Sequence, residues 1–244
     1  MKKIRLDQLL VQKELAESLI KAQGLIRAGK VRIKNQPVTK PGHTYAEDSE
    51  ITIDEPERFA SRGGEKLLGA MEEWGLHLDG AICMDIGSST GGFTDCMLQH
   101  GAVKVYAVDV GKGLLHWKLR KDERVIVMEG VNARYLTEEE IPEKADFASI
   151  DTSFISLTKI LPPLKNLIKP GGHIVSLIKP QFEARREQVG KGGVVRDPDV
   201  HDQVIEKVKQ FGTNELGFKW LGVCTSPIKG PAGNIEFLAY WEVQ

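Results

Sequence analysis

Apolar and polar positions follow two periods along this chain. In the first stretch the apolar residues recur at helical spacing. Leu6, Leu9, Leu10 and Leu15 share one face, and Leu19, Ala22, Leu25 and Ile26 share another. The pattern predicts helices over 6–15 and 18–28, the second stopped by Gly29. Val31 and Ile33 read as a strand, Asn35-Gln36-Pro37 and Pro41-Gly42 as turns, and 50–53 as a second strand. Residues 54–61 are polar and contain a proline, so they read as a linker, bounded at 56–61. The predicted domains are therefore 1–55 and 62–244.

Beyond the linker, Leu67, Met71 and Trp74 recur at i, i+4, i+7 and predict an amphipathic helix. Short apolar runs then alternate with helical patterns. Strands are predicted at 81–86, 104–109, 124–128, 146–151, 173–178, 219–225 and 235–242, and helices at 92–100, 112–120, 156–168 and 198–211. The last helix is well marked, with Asp197 at its N-cap, Pro198 at its first position, and Val200, Val204, Val208 and Phe211 on one side. Such alternation argues for a parallel sheet covered by helices on both faces. A Gly/Pro turn, Lys229-Gly230-Pro231-Ala232-Gly233, joins the final two strands, and a tight turn joins only antiparallel neighbours. The expected fold is α/β: a seven-stranded Rossmann-like sheet with an antiparallel last strand, preceded by a small α+β domain.

Composition narrows the class. At 244 residues, with 41% hydrophobic and 27% charged residues, the chain has ordinary globular composition. No apolar run reaches the roughly 18 residues of a membrane span. The first residues, Met1-Lys2-Lys3-Ile4-Arg5-Leu6-Asp7, lack the apolar segment of a secretory signal. Cys83, Cys96 and Cys224 are far apart and form neither a disulfide framework nor a metal-ligand spacing. A reducing, cytoplasmic compartment and no metal are expected. The net charge of −1 conceals an asymmetry: residues 1–40 carry ten Lys/Arg against three Asp/Glu. A basic end on an otherwise acidic chain suits a polyanion, and a solvated charged face has the same composition.

The stretch with most chemistry is Asp85-Ile86-Gly87-Ser88-Ser89-Thr90-Gly91-Gly92-Phe93, between a predicted strand and a predicted helix. Glycines there let a ligand approach the backbone, and the following helix offers unpaired N–H groups. Asp109 ends the next strand, 22 residues after Gly87, where an acid can take the hydroxyls of an adenosine ribose. Phe93 stands where a P-loop needs Lys, and the Gly87, Gly91, Gly92 spacing is not that of a dinucleotide turn. A ligand without a pyrophosphate fits better, and S-adenosylmethionine is one. Asn132, after the third strand, is a candidate adenine contact or an ordinary loop residue. The expected cofactor set is Asp85, Gly87, Ser89, Gly91, Gly92, Phe93, Asp109 and Asn132. A dehydrogenase would share the ribose acid, but the turn spacing and final hairpin oppose it.

In sheets of this kind ligands bind beyond the carboxyl ends of the strands. Asp151 ends the fourth strand, Lys179 the fifth, Glu236 begins the last, and Lys66 lies near the start of the pre-sheet helix. By itself Lys179 reads as a solvated strand end. Residues 180–197 form a long stretch with Arg185, Arg186, Lys191 and Arg196, expected to be a lid that orders on RNA.

Two resemblances join these pieces. Leu25-Ile26-Arg27-Ala28-Gly29-Lys30-Val31, then Asn35 and Lys40-Pro41-Gly42, resemble the S4 RNA-binding domain over about residues 2–55, departing from it at Leu19-Ile20. The set Lys66, Asp151, Lys179, Glu236 resembles the Lys-Asp-Lys-Glu tetrad of FtsJ-like RNA 2′-O-ribose methyltransferases. The whole chain resembles the TlyA (haemolysin A) family of ribosomal RNA methyltransferases. Further matches are Ser61-Arg62-Gly63-Gly64, Asp151-Thr152-Ser153-Phe154, Lys179-Pro180-Gln181-Phe182-Glu183, Lys191–Asp197 and Gly233-Asn234.

The resemblance implies a methyltransferase that uses S-adenosylmethionine and acts on ribosomal RNA or a ribosomal subunit. It implies RNA contacts from Arg5, Lys21, Arg27, Lys30, Arg32, Lys34, Arg62 and Arg196, mostly to phosphates. Of the implied catalytic residues Lys66, Asp151, Lys179 and Glu236, Lys179 serves as base or stabilises the forming oxyanion, and the carboxylates hold the lysines. The family's haemolysin name implies the alternative, a membrane-active or non-catalytic RNA-binding protein. The lack of any spanning or strongly amphipathic apolar stretch opposes membrane activity.

Overall fold

The structure, a computed structural model, describes residues 3–54 and 57–244; Glu55 and Pro56 of the predicted linker lie outside the described residues. The chain divides into two compact units, 1–57 and 58–244.

The first unit contains β1 (Lys3–Arg5), α1 (Leu6–Gln12), α2 (Leu19–Arg27), β2 (Val31–Ile33), β3 (Gln36–Val38), β4 (Thr44–Ala46) and β5 (Ile51–Ile53). β2 is central in an antiparallel β3-β2-β5 sheet, and β1 pairs with β4. Leu6, Leu10, Ala22, Ile26, Val31 and Ile33 form the core, as the helical spacing requires. Two expectations are corrected. The first helix ends at Gln12, because Glu14 takes a left-handed φ of 58°. The turn after β2 is Lys34-Asn35, at φ 50° and 63°, a two-residue hairpin turn whose twist matches the strands. Gln36 and Pro37 therefore belong to β3, an edge strand where a proline's missing N–H is tolerated.

The second unit contains α3 (Gly63–Trp74), β6 (Ile82–Ile86), α4 (Gly92–Gln99), β7 (Lys104–Asp109), α5 (Trp117–Arg120), β8 (Val125–Glu129), β9 (Ala145–Ile150), α6 (Leu161–Leu167), β10 (Ile168–Ile178), α7 (Pro180–Glu183), α8 (Pro198–Gln210), β11 (Lys219–Thr225) and β12 (Phe237–Glu242). The seven strands run β11-β12-β10-β9-β6-β7-β8. β12 is antiparallel to both neighbours, and β10 through β8 are parallel.

Alternate residues of the central strands feed two cores. Met84, Ile86, Ala148, Ile150, Ile174 and Ile178 face one; Cys83, Phe147, Val175 and Leu177 face the other. Burial on both faces explains why these strands read as continuous apolar runs.

Three predicted elements differ. Only Trp117–Arg120 of the expected 112–120 helix forms, because the Glu129 carboxylate takes the N–H groups of Gly113, Leu114 and Leu115 and holds them out of helical bonding. Those N–H bonds, Gly113's first, keep the Glu129 pKa down at about 2. The 156–168 helix is a single turn at 157–159 followed by α6, restarted by Pro162 and Pro163 in its first turn. Residues 180–197, read as one long loop, are partly structured: α7 opens them, Val194 and Val195 are buried, and Val195 N–H donates to Asn234 Oδ1 at 3.0 Å.

Candidate active site

The parallel strands end their carboxyl termini together, and the chemistry-bearing residues lie there. After β6 the chain turns through Gly87, at φ 86°, where a Cβ would stand 2.6 Å from the Asp151 carbonyl oxygen. Only glycine lets the two strand ends approach so closely. Ser89 takes a left-handed φ of 47°, and its N–H donates to Asp109 Oδ2 at 2.8 Å. Gly111 N–H holds the other Asp109 oxygen at 2.7 Å. Asp109 thus fastens the glycine turn to β7 and keeps unfilled acceptor capacity on a half-buried carboxylate.

Asp85, two residues before Gly87, is fully buried. Its Oδ2 accepts from the N–H and hydroxyl of Thr94 at 2.8 and 2.6 Å, and its Oδ1 from the Ser149 hydroxyl at 3.3 Å. Burial pushes its pKa up to about 7, against the pull of the Thr94 bonds. The carboxyl ties α4 to the end of β6.

Two cavities adjoin this turn. The larger, about 560 Å³, is lined by Gly87, Ser89, Asp109, Leu114, Asn132 and Phe154 among others; the smaller, about 260 Å³, by Ser61, Lys66, Asp85, Gly92, Phe93 and Lys179 among others. Gly87, Ser89, Asp151 and Ser153 border both. Asn132 Oδ1 accepts from Arg134, which fixes the amide at the cavity wall. Gly91 has a packing role: a Cβ there would collide with Leu119 and Leu115.

At the junction four charged side chains from distant parts of the chain converge. Lys179 Nζ lies 2.6 Å from Asp151 Oδ1, and Lys66 Nζ lies 3.5 Å from Asp151 Oδ2 and 2.8 Å from Glu236 Oε2. Lys66, Lys179 and Glu236 are buried, and Asp151 is half-buried. Glu236 precedes β12 rather than beginning it. Buried ammonium groups survive only when paired, and the alternation of cation and carboxylate supplies that pairing. Lys179 Nζ also donates to Ser153 Oγ at 3.0 Å, a partner absent from the sequence-based set, although Ser153 stood in a matching segment.

The candidate RNA-contacting residues of the first unit are exposed or half-buried. Arg5 pairs with Asp7, Arg32 with Asp54, and Lys21 with Glu17. Arg27, Lys30 and Lys34 complete the group; Arg62 and Arg196 are exposed on the second unit.

A seven-stranded sheet with only its last strand reversed, and a widely spaced glycine turn at its cofactor edge, defines a Rossmann-like methyltransferase. The chain belongs to the FtsJ-like methyltransferase family, whose model matches residues 59–242; an S4 domain matches residues 4–51. It is 43% identical over 245 residues to the 16S/23S rRNA (cytidine-2′-O)-methyltransferase TlyA of Mycobacterium tuberculosis, covering 100% of this chain and 91% of that one. It is 41% identical over 239 residues to Hemolysin A of Brachyspira hyodysenteriae, with 98% and 99% covered. The solved structure "Putative hemolysin from Streptococcus thermophilus" is similar at a TM-score of 0.77 and 45% identity, over 100% of this chain and 90% of that one.

Proposed function

We propose that this chain is an S-adenosylmethionine-dependent 2′-O-ribose methyltransferase acting on ribosomal RNA in the cytoplasm. In this reading the S4 domain grips RNA through phosphate contacts. The observation that carries it is the Lys66, Asp151, Lys179, Glu236 cluster at the junction of two cavities. The naming of the M. tuberculosis relative as a cytidine-2′-O-methyltransferase supports it.

The residues present fit the cofactor. The larger cavity is of ligand size and has an acid for the ribose hydroxyls in Asp109 and an amide in Asn132. Backbone at Gly87 and Ser89 leads from it to the smaller cavity. When bound, S-adenosylmethionine supplies an electrophilic methyl group.

A ribose hydroxyl is a weak nucleophile and must shed its proton as it attacks. In this reading Lys179 either takes that proton or donates a hydrogen bond to the developing oxyanion. Asp151 fixes the Lys179 ammonium, and Lys66 shares Asp151 with it. Glu236 anchors Lys66 from the far side. Holding oxygen and methyl in line supplies much of the acceleration. Among the described residues no helix is long and apolar enough to cross a membrane.

The test is a pair of measurements on the full chain and Lys179→Ala. Calorimetric titration should show that both bind S-adenosylmethionine with similar affinity. Transfer of labelled methyl to ribosomal RNA, mapped as ribose methylation, should be lost in Lys179→Ala. A variant that transfers at the wild-type rate would remove the assigned role.

A further inference from the structure

We propose that Ser153 is a positioning residue that sets the direction in which Lys179 presents its remaining N–H to substrate; this rests on the methyltransferase reading above. A lysine ammonium has three donors. Asp151 Oδ1 takes one at 2.6 Å and Ser153 Oγ another at 3.0 Å. With two donors committed to acceptors on one loop, the third has a single direction left. Ser153 is exposed and borders both cavities, so the contact lies where the methyl donor and the ribose meet in that reading.

The loop is built to hold this contact. Phe154, the next residue, sits at φ 62°, a left-handed conformation that costs an aromatic residue roughly 1–3 kcal/mol. Its ring packs on Phe182 at 5.1 Å between centroids, and Glu183 holds the residues that follow. Its buried carboxylate accepts from the Ser156 hydroxyl at 2.7 Å and from Leu157 N–H at 2.6 Å, and Lys207 anchors it at 3.2 Å. Glu183 ends α7, the short helix that starts directly after Lys179. The segment carrying Lys179 therefore grips the segment carrying Ser153, and donor and acceptor are braced from both sides.

In Ser153→Ala the ammonium keeps Asp151 as its acceptor but loses the second tether, so its remaining N–H is no longer aimed in one direction. The other charged groups around the cluster are Asp151, Lys66, Glu236 and Asp85, and all remain in that variant.

The experiment uses the full chain as wild type, Ser153→Ala and Ser153→Thr. In Ser153→Ala, kcat for ribose methylation should fall tenfold or more, with KM for ribosomal RNA and S-adenosylmethionine affinity within about twofold. Ser153→Thr, which keeps the hydroxyl, should restore kcat.

Independently of turnover, modification of Lys179 by an amine-selective reagent at fixed pH, read by mass spectrometry, should be several-fold faster in Ser153→Ala and normal in Ser153→Thr. An unchanged kcat in Ser153→Ala would overturn the proposal, and so would a loss that Ser153→Thr shares. If the wild type transfers no methyl group, the methyltransferase reading falls, and the modification rates alone decide the role of Ser153.

Discussion

Lys66 pairs with both carboxylates of the cluster, and replacing it with methionine gives the sharpest test of how that cluster is held. Methionine keeps most of the apolar stem and removes the ammonium. Glu236, whose side chain is 0% exposed, would lose its 2.8 Å ion pair, and its Oε1 already has no hydrogen-bond partner among the described residues. Breaking one side of a buried pair leaves an uncompensated charge and costs about 3–5 kcal/mol. Asp151 suffers less, because it keeps Lys179 at 2.6 Å and its side chain is 20% exposed. At roughly 2–4 °C per kcal/mol for a domain of this size, the melting temperature of the second unit should fall by roughly 6–20 °C. All four tryptophans, 74, 117, 220 and 241, lie in that unit, so urea unfolding followed by tryptophan fluorescence reports it selectively. The double variant Lys66→Met/Glu236→Leu removes both charges and should recover most of the loss, because an apolar replacement of a buried pair is close to neutral. A Lys66→Met variant that loses less than about 0.5 kcal/mol, the scale of an ordinary surface change, would refute the reasoning.

Two further outcomes follow from single residues. Gly87→Ala should cost about 1–3 kcal/mol and weaken S-adenosylmethionine binding at least tenfold by calorimetry, since φ is 86° and the new Cβ would press on the Asp151 carbonyl at 2.6 Å. Asp7 is fully buried, and the Arg5 guanidinium, with help from Gln23 and the Gln8 N–H, holds its pKa down at about 2. A depressed carboxyl stabilises the fold above its unfolded value and loses that contribution as pH falls from about 4 toward 2. The contribution is about 2 kcal/mol, and Asp7→Asn should abolish the corresponding acid destabilisation of residues 3–54, followed by their backbone amide NMR signals.

Much of the second unit was legible because its signals are local. The strand before Gly87 and the helix after Gly92 were both correctly placed, since apolar run, glycine turn and helix start lie within a dozen residues. Asp197 caps α8 through the Asp199 N–H at 3.0 Å, as its place before Pro198 suggested. In the second unit two departures arise where a distant group outbids a local preference. Glu129 took the N–H groups of 113–115 and kept a predicted helix from forming. Asn234 and His201 hold Val195 inside the stretch read as one long loop. Ser153 was passed over because a serine after a strand end has no distinctive pattern until its lysine partner is located.

Sequence alone determined the succession of the seven sheet strands in the second unit, the reversed last strand, the glycine turn and the acid at the end of the next strand. Each depends on spacing within a few residues, where side-chain period and backbone freedom act directly. Tertiary structure decided which charges meet. Lys66 and Glu236 are separated by 170 positions, and no local rule couples them. They touch at 2.8 Å because the strand order brings β12 beside β10 and carries the chain before β12 to the edge where α3 begins. Ion pairing is selective only at short range, so the partner of each ammonium group follows from how the sheet is laid out.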